Sequence, residues 1–169
     1  MKLATRRRRV KLPGGGAVSA VVALPQRFRP GRTPAVLLAH GAGAGMSSPF
    51  VSFVKSLGGR IASYLAVAGA PVGGVFFLGY PLHPAGKPDQ LRADHLPSLP
   101  VPMLFVQGTR DALCDFERLR EVLRGVPGAA LHVVEGGDHS FRLPRRNGKP
   151  EQAVWADIVG AVVRWLAGL

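Results

Sequence analysis

Three residues combine the types, order and surroundings that nucleophilic chemistry needs: Ser56, Asp111 and His139. A serine hydroxyl is a poor nucleophile at neutral pH. It attacks a carbonyl when a histidine at hydrogen-bond reach takes its proton and a carboxylate orients that imidazole. Each of the three sits in a polar or glycine-rich segment: Ser56-Leu57-Gly58-Gly59, Gly108-Thr109-Arg110-Asp111 and Gly136-Gly137-Asp138-His139-Ser140. A fourth such segment, His40-Gly41-Ala42-Gly43-Ala44-Gly45, carries no obvious nucleophile. Each segment alone is a weak signal; their convergence carries the reading. Ser56 taken alone is a good helix N-cap ahead of Leu57, because serine oxygens accept the free N–H groups of a first helical turn.

The elements that position these residues alternate. Residues 9–12 and 18–24, joined by Gly14-Gly15-Gly16, predict an opening hairpin. Residues 35–39 form a short continuous apolar run, as expected of a strand buried on both faces of a parallel sheet. Helical spacing follows over 59–68, then a buried strand over 75–78 and a long loop over 80–99 with a turn of helix near 90–94. Residues 101–107 are the clearest strand; Phe116, Leu119 and Leu123 mark a helix over 116–123. A strand over 131–134 and an amphipathic helix over 153–166 close the chain. Strands alternating with helices predict an α/β fold, a three-layer sandwich on a mostly parallel sheet. In such sheets ligands bind at the carboxyl ends of the strands, where the polar segments lie. The whole chain, 1–169, reads as one domain, with residues 1–7 as a basic tail.

Other candidates reduce to structural roles. His40 reads as a residue tying its loop. His83 and His95, with Asp94, lack tight metal-ligand spacing, so no metal and no cofactor is expected. Gly41, Gly43 and Gly45 lack the Lys-Ser/Thr of a P-loop and the spacing of a dinucleotide fingerprint. Asp138 is expected to shape its loop, since neighbouring side chains point apart. Cys114 is the only cysteine, so no intrachain disulfide forms, and it reads as a small buried residue.

The 22 basic and 10 acidic residues give a net charge of +12, which attracts anions. The charge clusters at Arg6–Arg9 and at Arg142, Arg145, Arg146 and Lys149, without a metal finger, an aromatic RNA-binding motif or a basic zipper. Nucleic acid is therefore not the expected partner; a small-molecule substrate is. The longest uncharged stretch, 61–82, is interrupted by Gly69, Pro71, Gly73, Gly74 and Pro81, which excludes a membrane span. Pro13 and Gly14–Gly16 separate the early arginines from the apolar run over 17–25, unlike a signal peptide, and a cytoplasmic location is expected.

The chain resembles the small dienelactone-hydrolase-like branch of the α/β-hydrolases, which includes the eukaryotic Tex-type proteins. The resemblance rests on Leu38-Ala39-His40-Gly41-Ala42-Gly43-Ala44-Gly45-Met46, on Lys55-Ser56-Leu57-Gly58-Gly59-Arg60 and on Phe77-Leu78-Gly79-Tyr80-Pro81-Leu82-His83-Pro84. It continues through Val101-Pro102-Met103-Leu104-Phe105-Val106-Gln107-Gly108-Thr109-Arg110-Asp111 and Gly137-Asp138-His139-Ser140-Phe141. It implies a serine esterase with Ser56 as nucleophile, Asp111 as acid and His139 as base. It also implies an oxyanion hole from the backbone N–H groups of Leu57 and Ala42.

The sequence departs from that family in one region. Val54 stands where the nucleophile elbow carries glycine. Only ten residues, 46–55, separate Gly45 from Ser56, where the family has two strands and two helices. One strand–helix–strand crossover alone takes ~30 residues. An internal deletion and a truncated sheet are therefore expected, and a homodimer is the natural repair for exposed sheet edges. The alternatives to an active hydrolase are a catalytically impaired relative serving as an interaction module and a basic nucleic-acid-binding protein.

Overall fold

The computed structural model describes residues 3–11, 17–25, 57–69, 72–144 and 149–169. The expected strand over 35–39, the glycine loop over 40–45, the shortened interval 46–55 and Ser56 lie outside the described residues. The chain divides into two compact units, Met1–Leu37 and Leu38–Leu169.

In the first unit, β1 (Leu3–Lys11) and β2 (Ala17–Pro25) pair antiparallel, with Val10 opposite Val18 and Leu3 opposite Pro25. The hairpin expected from the glycine turn is present, but its first strand reaches back through Arg6–Arg9. Residues 3–7 are thus paired strand where a basic tail was expected. The physical reason is that an antiparallel ladder is held by backbone groups, and two-stranded pairing tolerates charged side chains at its open edges.

The second unit holds α1 (Leu57–Val67), β3 (Val75–Leu78), β4 (Met103–Gly108), α2 (Phe116–Arg124), β5 (Ala129–Val134) and α3 (Glu151–Ala167). The strands form a parallel sheet in the order β3-β4-β5, with Phe77 beside Phe105 and Phe105 beside Leu131. Every residue of β4 is buried, as expected of a central strand whose side chains are apolar except for Gln107.

Alternation along the strands builds two cores. Val75, Phe77, Met103 and Phe105 point to one face, where Ala66 of α1 and Leu119 of α2 cover them. Phe76, Leu78, Leu104 and Val106 point to the other, against Val154, Ile158 and Trp165 of α3. This is the expected three-layer α/β sandwich. The aromatic centre of the first face is tight: Phe77 and Phe105 lie 4.5 Å apart between centroids, and Tyr80 meets both edge-on.

Boundaries moved by a few residues. α2 begins where Asp115 caps it, its carboxylate accepting the Arg118 N–H at 3.1 Å. The turn of helix expected near 90–94 lies instead at Leu96–Ser98, a single 3-10 turn with Pro97 as its second residue. Proline suits a first helical turn because its missing N–H would have no intrahelical partner there. Among the described residues no helix is long and apolar enough to cross a membrane.

Candidate functional site

Asp111 and His139 meet at the carboxyl ends of β4 and β5. His139 Nδ1 lies 2.7 Å from Asp111 Oδ2. A carboxylate accepts, so Nδ1 carries the proton and donates. In a neutral imidazole this leaves Nε2 as an acceptor, the state that a general base needs. The Asp111 side chain is 0% exposed and that of His139 is 25% exposed.

A shielded carboxylate is costly unless donors surround it. Asp111 has them: Oδ1 accepts the Leu113 N–H at 2.9 Å, and Oδ2 accepts Gln107 Nε2 at 2.8 Å besides His139. Gln107 was absent from the site as read from sequence, where it passed as one more residue of a buried strand. The available signal was a lone amide in an apolar run, four residues ahead of the carboxylate.

Glycines bring the two loops together. A Cβ on Gly108 would stand 2.3 Å from the Gly137 carbonyl oxygen, a backbone atom that cannot swing aside. The loops are laced at that contact: Arg110 N–H donates to Gly137 O at 2.9 Å, and Gly136 N–H donates to Thr109 Oγ1 at 2.8 Å. Gly79, at φ +71°, lies directly against both members of the pair. Its Cβ position is 3.4 Å from His139 Nδ1 and 3.5 Å from Asp111 Oδ2.

His139 is aimed by its own loop. Asp138 Oδ1 accepts the N–H groups of Ser140 at 2.7 Å and Arg142 at 2.9 Å, which is the loop-shaping role expected of it. Phe141 adopts φ 60°, the left-handed region that costs a residue with a Cβ about 1–2 kcal/mol. Its buried ring meets Trp155 edge-on at 5.5 Å, and that packing holds the strained backbone.

His83, His95 and His132 are engaged elsewhere, the last with Asp157 Oδ2 at 3.0 Å. His83 donates from Nδ1 to Pro84 O at 2.9 Å and accepts the Asp115 N–H on Nε2 at 3.0 Å. His95 Nε2 donates to Ser63 Oγ at 2.7 Å, since that hydroxyl gives its own proton to Arg60 O. Burial, then the Arg60 cation, lowers the His95 pKa from 6.5. Cys114 is buried as expected. Burial, then the Asp111 charge, pushes its thiol pKa up, so it supplies no thiolate. Among the described residues no group of three or more metal-ligating side chains converges. An open groove of about 550 Å³ runs past Thr109, Arg110, Asp115, Glu117 and Glu135. Asp111 lines it too, and four carboxylates against one guanidinium make that wall acidic.

Ala42 and Ser56 lie outside the described residues. Leu57 is the first residue of α1, and a first helical residue has no intrahelical acceptor for its N–H.

The class is an α/β protein: a parallel sheet that carries a buried carboxylate bonded to a partly exposed histidine on successive strand-end loops. The family model of the alpha/beta hydrolase domain matches residues 53–167, and the chain belongs to that family. The chain is similar in fold to a solved puromycin hydrolase, at 16% identity and a TM-score of 0.59, over 83% of this chain and 36% of that one. A CIB-like hydrolase from Thermoplasma acidophilum gives 22% identity and a TM-score of 0.47, over 68% of this chain and 49% of that one. An esterase domain from Rhodothermus marinus gives 17% identity and a TM-score of 0.41, over 50% of each chain. The chain therefore spans half or less of the length of these solved relatives. At such identities the likeness concerns the fold alone.

Proposed function

We propose that this chain is a serine hydrolase of esterase type, acting on a small ester or related carbonyl compound. Ser56 attacks the carbonyl carbon while His139 Nε2 takes the hydroxyl proton. Asp111 holds the imidazole and balances its charge. The leaving group departs with the proton that His139 returns, and water activated by the same base then releases the acyl group. The backbone N–H groups of Leu57 and Ala42 receive the oxyanion. The start of α1 suits an oxyanion, because Leu57 opens an 11-residue helix with no acidic residue in its first turn and the positive end is unopposed.

The observation that carries this reading is the 2.7 Å contact between His139 Nδ1 and the shielded Asp111 carboxylate. A structural ion pair on a surface would not need three converging donors or a glycine packed against it. The resemblance to dienelactone-hydrolase-like proteins supports the same roles.

A fluorophosphonate probe tests the reading. Labelling that maps to Ser56, and that disappears in Ser56→Ala and His139→Ala, is the expected result. A folded chain that remains unlabelled, with Ser56→Ala indistinguishable from wild type, overturns it. The competing reading, an impaired relative kept as an interaction module, rests on Val54 and on the ten residues between Gly45 and Ser56. That outcome of the labelling experiment would favour it.

A further inference from the structure

Gln107 is the only polar side chain in β4, and it is 0% exposed. A primary amide in such a place is unfavourable unless both ends are paired. Both are. Oε1 accepts the Tyr80 N–H at 2.8 Å, and Nε2 donates to Asp111 Oδ2 at 2.8 Å. These neighbours fix which way the amide points, because a backbone N–H only donates and a carboxylate only accepts.

We infer that Gln107 is a positioning residue for the acid–base pair, clamping Asp111 Oδ2 onto His139 from the anchored end of β3. The anchor is firm. The Tyr80 ring is buried edge-on against Phe77 and Phe105, its hydroxyl donates to Arg92 O at 2.6 Å, and the preceding Gly79 N–H donates to Val106 O at 2.9 Å. The clamp and the imidazole share one oxygen, Oδ2, while Leu113 holds the other. Two donors on opposite oxygens fix the plane of the carboxylate, and the plane sets the direction along which His139 is held. Gln107 touches neither substrate nor the proton in flight, so it acts only through Asp111.

The catalytic consequence rests on the esterase reading; the clamp itself does not. The test uses the full chain carrying Gln107→Glu and, separately, Gln107→Met. Glutamate keeps the acceptor for Tyr80 but presents an acceptor where Asp111 needs a donor. Methionine keeps the volume and removes both bonds. Four quantities are read: kcat and KM on p-nitrophenyl acetate, the thermal midpoint, and the downfield proton resonance of His139 Nδ1–H, assigned by its loss in His139→Ala.

Gln107→Glu is expected to lower kcat about 10- to 100-fold with KM unchanged, the range for losing a hydrogen bond to a charged group. The Nδ1 resonance is expected to move in both variants. Wild-type kcat in Gln107→Glu, or a loss that follows the thermal midpoint while the resonance stays in place, overturns the clamp and leaves Gln107 as packing. A wild-type chain that neither hydrolyses the ester nor takes a fluorophosphonate label sinks the esterase reading instead. In that event the resonance still decides the clamp: displaced in the variants it stands, unmoved it falls. If Gln107→Met does not fold, Gln107→Glu carries the same decision.

Discussion

Asp111 and His139, the proposed acid and base, are held by different physics. Asp111 is fixed by polar bonds and burial: an amide from the strand that precedes it, a backbone N–H two residues on, and complete shielding of its side chain from solvent. His139 is fixed by the shape of its loop, through the Asp138 turn, a strained Phe141 backbone and an apolar ring buried against α3. The difference suits the proposed roles. A carboxylate that only orients its partner can be buried and fully bonded. An imidazole proposed as a base needs its restraint on Nδ1 and on the loop behind the ring, which is where the described contacts of His139 lie.

The largest expected effect separates charge from shape at the acid. Asp111→Asn keeps the volume but removes the charge, and its amide can present a donor to His139, which favours the wrong tautomer. A fall in kcat of about 10⁴-fold is expected for an ester substrate, the magnitude known for this change in a triad protease. A loss below about tenfold in a folded variant would mean that Asp111 does not orient the base.

At the base, the same contrast predicts that loop packing matters most. Phe141→Ala removes a buried ring and is expected to cost about 3–5 kcal/mol of stability. Chemical denaturation measures it. Phe141→Gly is expected to be more stable than Phe141→Ala by about 1 kcal/mol, reversing the usual order, because glycine adopts a positive φ without strain. The usual order would show that the strained backbone is not part of the native loop.

Where the two loops touch, Gly108→Ala sets a Cβ 2.3 Å from the Gly137 carbonyl oxygen. Backbone on both sides leaves nothing flexible to move, so the loops must part. A loss of about 1–3 kcal/mol is expected from overpacking. It should lower fluorophosphonate labelling as well as the thermal midpoint, since the pair is split at its hinge. Stability lost with labelling intact would show that the loops relax elsewhere.

The fold of the second unit was legible because its elements carry strong periods. β3 was placed at its observed bounds and α2 within a residue, from an apolar run and from Phe116, Leu119 and Leu123. The 3-10 turn was misplaced because Pro97 acts locally, without any period to reveal it. Residues 1–7 suggested a tail because charge says nothing about backbone pairing. In the site, Asp111 and His139 were legible from residue type and glycine context. Gln107 was not, since a polar residue in a buried strand acquires meaning only from its partners, Tyr80 and Asp111, which are distant or unmarked in sequence.

The smallest expected effect guards the reading of the others. Activity that falls at acid pH can reflect the chemistry of the site or weakening of the fold, and His95 supplies a source of the second. Burial and the Arg60 cation lower its pKa in the folded chain below 6.5, the value it has when free. As pH drops below 6.5, the unfolded chain takes up a proton that native His95 refuses, so the unfolded state gains. The contribution of His95 is therefore complete above pH 6.5 and is lost as pH falls toward the folded pKa. His95→Gln, whose amide can still donate to Ser63, removes this titration, and its thermal midpoint is expected to fall less than that of wild type between neutral pH and about pH 5. The acid limb of its ester hydrolysis is expected to match wild type. A limb displaced along with the midpoint would show that loss of fold, and not the chemistry of the site, sets the acid side of the profile.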